Sequence, residues 1–491
     1  MPTARSMARA GARLSPSVTS CERGFMLDEA GGFVVSLMPC RLGADRGRDI
    51  GGTYDPTVRP VDRELLRLAV PALGALLAEP LYVLADTAVV GHLGTSELGG
   101  LAVASAALLF GYGLCVFLAY GTTAAIARLT GAGQDRRAAH QAVQGLWLAL
   151  ALGVVLAVLG AVFAGPLLRL LGAGGEVLAQ AGTYFRISLL GTPAMLMMLA
   201  GVGYLRGVKD TVRPLWVAAG TAVVNLVLEV VLIYGFDQAI GASAAATVVA
   251  QWLGAGCYLA WIGRGVRRLD VSLAPDVQVI GRMLVVSAEL MVRNLSLTGT
   301  FLVATAAATR IGVVDVAAHQ VAFQVWMVLA LSMDAVAIAA QAMVGSLLGA
   351  DDPDGARSVG RSVIGWSIAI GAVLGAVIAA SHGVLGQVFS ADEAVVALAG
   401  FLLLHVGLMA PLSGVAFALD GILIGAGDQR FLAWAMAGAA AVAVPVMVAT
   451  RLAGLGIGPL WAGIWAFMGV RGISLWARFR SGRWQVVGAG T

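Results

Sequence analysis

An all-α, polytopic membrane protein is the fold class this sequence predicts: twelve transmembrane helices in two six-helix lobes related by a parallel internal repeat. Three observations predict it. Of 491 residues, 59% are hydrophobic and 12% charged, with a mean hydropathy of +0.86, whereas soluble domains carry about 25% charged residues. Apolar stretches, each near the roughly 20 residues that a spanning helix needs, recur from about residue 64 to residue 479. The chain also repeats itself at a constant offset of 218 residues. The runs are continuous rather than alternating, which excludes a β-barrel.

Along the chain, residues 1–61 differ in kind, being rich in Arg, Ser and Gly. Their longest apolar piece, "FVVSLMP", is too short for a signal-peptide core. They read as a disordered tail or a stretch upstream of the true start, and an arginine-rich transit peptide is the sharper alternative. Twelve spans follow, at about 64–92, 98–124, 138–165, 177–205, 214–235, 241–263, 278–309, 315–346, 357–380, 393–424, 430–451 and 456–479. They divide into an N-terminal lobe (62–270) and a C-terminal lobe (271–480), with 481–491 as a short cytoplasmic tail. Turns such as "GAGQDRR", "GVKDTVRP" and "GADDPDGAR" separate them. Cys21, Cys40, Cys115 and Cys257 show neither metal spacing nor a disulfide framework.

Basic residues sort the loops. One set holds Arg128, Arg136, Arg137, Arg206, Lys209, Arg213, Arg264, Arg267, Arg268, Arg357, Arg361 and Arg430; the opposite set holds only Arg169, Arg310 and Arg451. The positive-inside bias then puts both termini in the cytoplasm of a plasma (inner) membrane protein. The net charge of +4 is therefore topology rather than nucleic-acid binding.

The repeat is specific. A shift of 218 lays Gly94 on Gly312, Gly131-Ala132 on Gly349-Ala350, Gly153 on Gly371, Pro193 on Pro411, and "LRGVKD" on "LIGAGD". Shared composition explains glycine and alanine matches but not the proline and aspartate. Six helices per half give both halves one orientation, with a substrate cavity between lobes that rock about it.

Chemistry concentrates in the first half. Asp86 lies in a greasy helix, where an acid costs about 2.5–3.5 kcal/mol on insertion scales. Glu79 is two turns earlier on the same face. Pro80 between them, and Pro71 before, remove backbone hydrogen bonds and allow a bend. The plainer reading is that Asp86 merely reaches the interface at a helix end. The fifth span, "NLVLEVVLIYG", puts Asn225 and Glu229 four apart on one face, and the sixth adds Thr247. If close, Asp86 and Glu229 titrate as a coupled pair, a proton switch. The plainer reading of Glu229 is an acid paired with a buried arginine. The shift of 218 puts Ala304, Met447 and Ala443 where the first half has Asp86, Glu229 and Asn225. These acids therefore serve a task rather than the duplicated frame.

The second half offers Glu289, Arg293 and Asn294, then Asp334 and Gln341. Glu289 with Arg293 at i,i+4, or Arg293 with Asp334, reads as an ion pair of structural more than transport use. His92 and His319 read as local hydrogen-bonders. No metal, nucleotide-binding or hydrolase signature is present, so the chain is no enzyme and needs no cofactor.

Together "DTAVVGHLGTSELGGLAVA", "GAGQDRRA", "LRGVKDTVRPL", "NLVLEVVLIYG", "AAHQVAFQVW" and "DAVAIAAQAMVGSLLGA" resemble the multidrug and toxic compound extrusion (MATE) transporters, in particular their DinF-like branch. The resemblance covers about residues 62–479. It implies a twelve-helix, two-lobed antiporter that expels amphipathic, often cationic compounds in exchange for H⁺ or Na⁺. It makes Asp86 the first-helix aspartate that takes the coupling ion, Pro71 the proline where that helix bends, and Asn225 and Thr247 its polar support. Glu229 stands where the family pattern has an aspartate. The sodium site of the NorM-like branch is not matched, which favours H⁺ over Na⁺. The reading is thus a proton-coupled exporter of small amphipathic or cationic compounds, a monomer in the lipid bilayer. Its rivals are a lipid-linked precursor flippase of the same superfamily, which would need a basic cavity, and a membrane-embedded lipid-modifying enzyme, which would need a nucleophile, a metal site or an acidic pair facing a phosphate. Arg186, Arg293 and Arg471 are the few arginines that read as lying inside spans.

Overall fold

A computed structural model describes residues 60–91, 94–236 and 240–489. Residues 1–59 of the tail read over 1–61, and His92, lie outside them, while Pro60 and Val61 belong to the first helix. Among the described residues, twelve helices are long and apolar enough to cross a membrane. They are α1 Pro60–Gly91, α2 Thr95–Gly131, α3 Asp135–Leu170, α4 Gly175–Gly207, α5 Val212–Gly235 and α6 Ile240–Leu269 in the first half. In the second half they are α7 Val277–Ile311, α8 Val313–Gly349, α9 Pro353–Phe389, α10 Glu393–Gly425, α11 Gln429–Leu452 and α12 Ile457–Ser481.

Most helices outrun the apolar stretches that announce them, because a helix ends at its cap and not where its hydrophobicity ends. Asp352 accepts from Gly355 N at 2.8 Å to start α9. Asp276 and Asp392 each accept from two first-turn amides of α7 and α10, the usual carboxylate solution to orphan N–H groups. Among the described residues, three helices are locally irregular. α2 is interrupted at Val116, whose N–H reaches back to Gly113 O. α4 tightens to a 3₁₀ turn at Leu189–Gly191, just before Pro193, whose ring supplies no N–H. α5 widens into a π turn over Val231–Gly235.

α4 and α8 are the most enclosed spans, with 61% and 56% of their apolar windows buried, against 17% for α1 and α3. One apolar cluster draws only on residues 90–244 and another only on 301–468, while the largest joins both halves.

Packing follows the 218-residue shift. A Cβ on Gly153 would meet Pro193, and one on Gly371 would meet Ala410 and Pro411. Gly203 is pressed on Ala119 O, and its counterpart Gly421 on Ala337 O. Turns match too: Gly133 and Asp351 both have positive φ (68° and 58°), as do Lys209 and Gly427 (61° and 77°). A non-glycine there costs about 1 kcal/mol, so backbone shape outlasted the glycine. Where α2 crosses α8, Gly131 abuts Ser346 O and Gly349 abuts Arg128 O. Those two contacts exchange under the shift, which is the reciprocity a two-fold axis imposes.

Two basic residues read as loop residues are instead buried helix residues, because each lies within a turn of a helix end and its long stem folds inward. Arg128 donates to Ala426 O at 2.5 Å, to Gly488 O at 3.1 Å and to Val486 O. Arg206, 8% exposed, belongs to the last turn of α4.

Candidate functional site

A cavity of about 320 Å³ opens among α1, α2, α4, α5 and α6, with Asp334 of α8 on its wall. Five of the chain's eight tyrosines line it: Tyr82, Tyr112, Tyr120, Tyr184 and Tyr258. Its walls are therefore aromatic yet carry hydroxyls, suited to flat organic bodies with polar edges.

The periodicity of α1 puts Glu79, Tyr82 and Asp86 on the cavity side. Asp86 is 4% exposed and Glu229 fully enclosed. Ser243 Oγ donates to Asp86 Oδ1 at 2.8 Å, and the carboxyls of Asp86 and Glu229 lie within hydrogen-bond reach of each other. Neither Glu229 oxygen has a hydrogen-bond partner among the described residues. Thr247 Oγ1 donates to Ser243 O at 3.1 Å, which leaves Tyr82 OH to donate to Thr247 at 2.9 Å. Tyr184 stands against Ser243 and Thr247, with both acids as neighbours. Asn225 lines the cavity with its amide buried and both polar atoms unpartnered among the described residues.

Two ionised carboxylates at about 4 Å repel by roughly 4 kcal/mol at an effective dielectric of 20. One proton between them replaces that repulsion with an O–H···O bond, and it would supply the donor that Glu229 otherwise lacks. The arrangement can hold or release a proton at the edge of a cavity.

The structure thus brings Asp86, Glu229, Asn225 and Thr247 together, with Glu79 on the same cavity. Pro71 and Pro80 lie inside a helix that runs unbroken from Pro60 to Gly91. Sequence reasoning missed Ser243, Tyr82 and Tyr184. Two of them carried a signal, since Ser243 precedes Thr247, and Tyr82 precedes Asp86, by one helical turn.

In the second half the expected ion pairs do not form. Arg293 bonds neither Glu289 nor Asp334 but Asp420, through Nε at 3.2 Å and through Nη2. It also donates to Asn294 Oδ1 at 2.7 Å. Arg471, fully buried, approaches the same Asp420 at 3.3 Å. The reason is register: Asp420, 127 residues away on α10, lies beside both guanidinium groups. Asp334 accepts from Tyr120 OH at 3.3 Å. Glu289 is half-buried with Arg430 and Asp428 as its charged neighbours. Arg186 is exposed.

The MatE family profile matches twice, over residues 71–231 and 290–449, at nearly the offset of the internal repeat. The chain is 30% identical to the DNA damage-inducible protein F of Escherichia coli (strain K12), over 86% of this chain and 94% of that one. It is 29% identical to Protein DETOXIFICATION 45, chloroplastic, of Arabidopsis thaliana, over 90% and 83%. Among solved structures, a MATE transporter in its bent conformation superposes with a TM-score of 0.79 at 22% identity, covering 87% of this chain and 95% of that one.

Proposed function

The chain belongs to the MATE family of multidrug and toxic compound extrusion transporters, and from that premise we propose that it is a proton-coupled antiporter. It is a multi-pass membrane protein that moves small organic compounds and not an enzyme. The proposed exchange runs by alternating access between the lobes 62–270 and 271–480, one monomer sufficing. The coupling ion is H⁺ rather than Na⁺.

One observation carries the reading: a fully enclosed glutamate without a donor among the described residues faces an aspartate on the wall of the cavity. In this scheme a proton entering from outside occupies the Asp86–Glu229 pair and removes one of its two negative charges. α1 then repacks about Pro71 and Pro80, where the ladder lacks hydrogen bonds, and substrate held near Glu79 and Asn225 is displaced. Return of the proton to the cytoplasm restores the anionic pair for the next substrate. One charge moving down 100 mV yields about 2.3 kcal/mol, enough for a roughly fifty-fold gradient. The bias of arginine toward one set of turns supports cytoplasmic termini in a plasma membrane.

Efflux of a fluorescent organic cation from proteoliposomes under an imposed pH gradient tests this. Asp86→Asn should lose more than nine-tenths of gradient-driven transport while melting like the wild type. Full activity in that variant would overturn the assignment.

A further inference from the structure

The same cavity also carries the opposite charge. Arg206 is nine-tenths buried, lines the cavity, and forms no hydrogen bond or close ion pair among the described residues. Its polar neighbours are Tyr120, Asp334 and Tyr258.

The surrounding charges do not balance. Among the described residues, Arg206, Arg293 and Arg471 share the region with only two carboxylates, Asp334 and Asp420. Asp420 is held by Arg293 and Arg471. Asp334 takes the Tyr120 hydroxyl and lies in the field of all three guanidinium groups. One positive charge is left over, and Arg206 is the arginine of the three that reaches the cavity. A buried guanidinium without a partner is costly, and its forked N–H groups suit a planar carboxylate. Along α1 the lining carboxyls of Glu79 and Asp86 form an acidic wall about 10 Å long. Tyrosines line the space they share with Arg206.

We propose that Arg206 is the anion-recognising pole of the cavity, and that its preferred compounds are amphoteric. Such a compound offers a carboxylate to Arg206 and a cationic nitrogen to the wall of Glu79 and Asp86, with an aromatic body between. This rests on the export reading for its biological use, but the binding chemistry stands by itself.

Two dyes of one ring system separate the charges: rhodamine 110, with a free carboxylate, and rhodamine 123, its methyl ester. Fluorescence anisotropy with the purified full chain in nanodiscs should show the acid bound at least fivefold more tightly than the ester. Arg206→Gln should bring that ratio to about one. Asp334→Asn, which removes the carboxylate nearest the pole, should widen it. An equal affinity of the wild type for both dyes overturns the proposal, even if Arg206→Gln does not fold. So does a preference that survives in Arg206→Gln, or one that narrows in Asp334→Asn. The readout is equilibrium binding, so failure of pH-driven efflux would sink the antiporter reading and leave this preference standing.

Discussion

Glu229 is an expensive way to fill its site. It is fully enclosed, and its oxygens have no donor among the described residues. Replacing buried ionic groups by apolar ones of similar volume is often neutral or stabilising by 1–4 kcal/mol, so Glu229→Leu should melt at or above the wild-type temperature. The same variant should show no pH-driven efflux. A clear drop in melting temperature would mean that the carboxyl has a structural partner after all. Asp420 is the opposite case, an acid satisfied by two arginines, as structural ion pairs are. The contrast explains what could be read beforehand. Asp86, Glu229 and Glu79 announce themselves as acids in apolar runs, and Asn225 follows from helical spacing. Asp420 passed unnoticed because its partners, Arg293 and Arg471, sit on α7 and α12. Arg206 and Arg128 were misplaced because they lie within a turn of a helix end, where charge ordinarily points outward. No local pattern states which way such a stem will fold.

At the level of elements, twelve spans were legible and their interruptions were not. Hydropathy averages over about nineteen residues, whereas a 3₁₀ or π turn occupies three to five. The two irregular turns in α4 and α5 flank the site: Ser188, on the cavity wall, directly precedes one, and Glu229 lies two residues before the other. π turns are frequent at functional sites, where they re-aim the side chains beside them. The segment after α12 was equally hidden, since "RWQVVGAG" has no periodicity to reveal a docked strap. Trp484 is 1% exposed, donates to Phe479 O at 2.9 Å and stacks on the Phe479 ring. Gln485 Nε2 donates to Pro353 O at 2.6 Å, and Gly488 N to Leu348 O at 2.9 Å. With Arg128 gripping Val486 O and Gly488 O, this strap ties α2 of the first half to α8, α9 and α12 of the second. Trp484→Ala should therefore cost about 3–5 kcal/mol, read as a large fall in melting temperature in detergent. A shift of under two degrees would show that the strap is surface dressing.

The whole molecule is one six-helix design used twice, with chemistry on one copy. Duplicated backbone contacts survive even where side chains diverged, as at Gly133 and Asp351, while the acids of α1 and α5 have no counterparts in α7 and α11. A shared frame with a one-sided site needs a joint that transmits motion between halves, and α2 against α8 is placed for it. There Gly131 and Gly349 bring the two backbones close enough that any Cβ would strike a carbonyl. Small residues allow such close crossing in bilayers, where packing replaces the hydrophobic drive. Because the two contacts exchange under the repeat, they should respond alike. Gly131→Leu and Gly349→Leu should each destabilise by about 1–3 kcal/mol through overpacking and cut efflux at least tenfold. Gly113→Leu on the same helix α2, where a Cβ meets nothing within 4 Å, should leave both stability and efflux unchanged. Efflux assays and melting curves on the three variants decide the matter. If one glycine of the pair tolerates leucine and the other does not, the crossing is not a symmetric pivot, and the lobes must turn about some other contact.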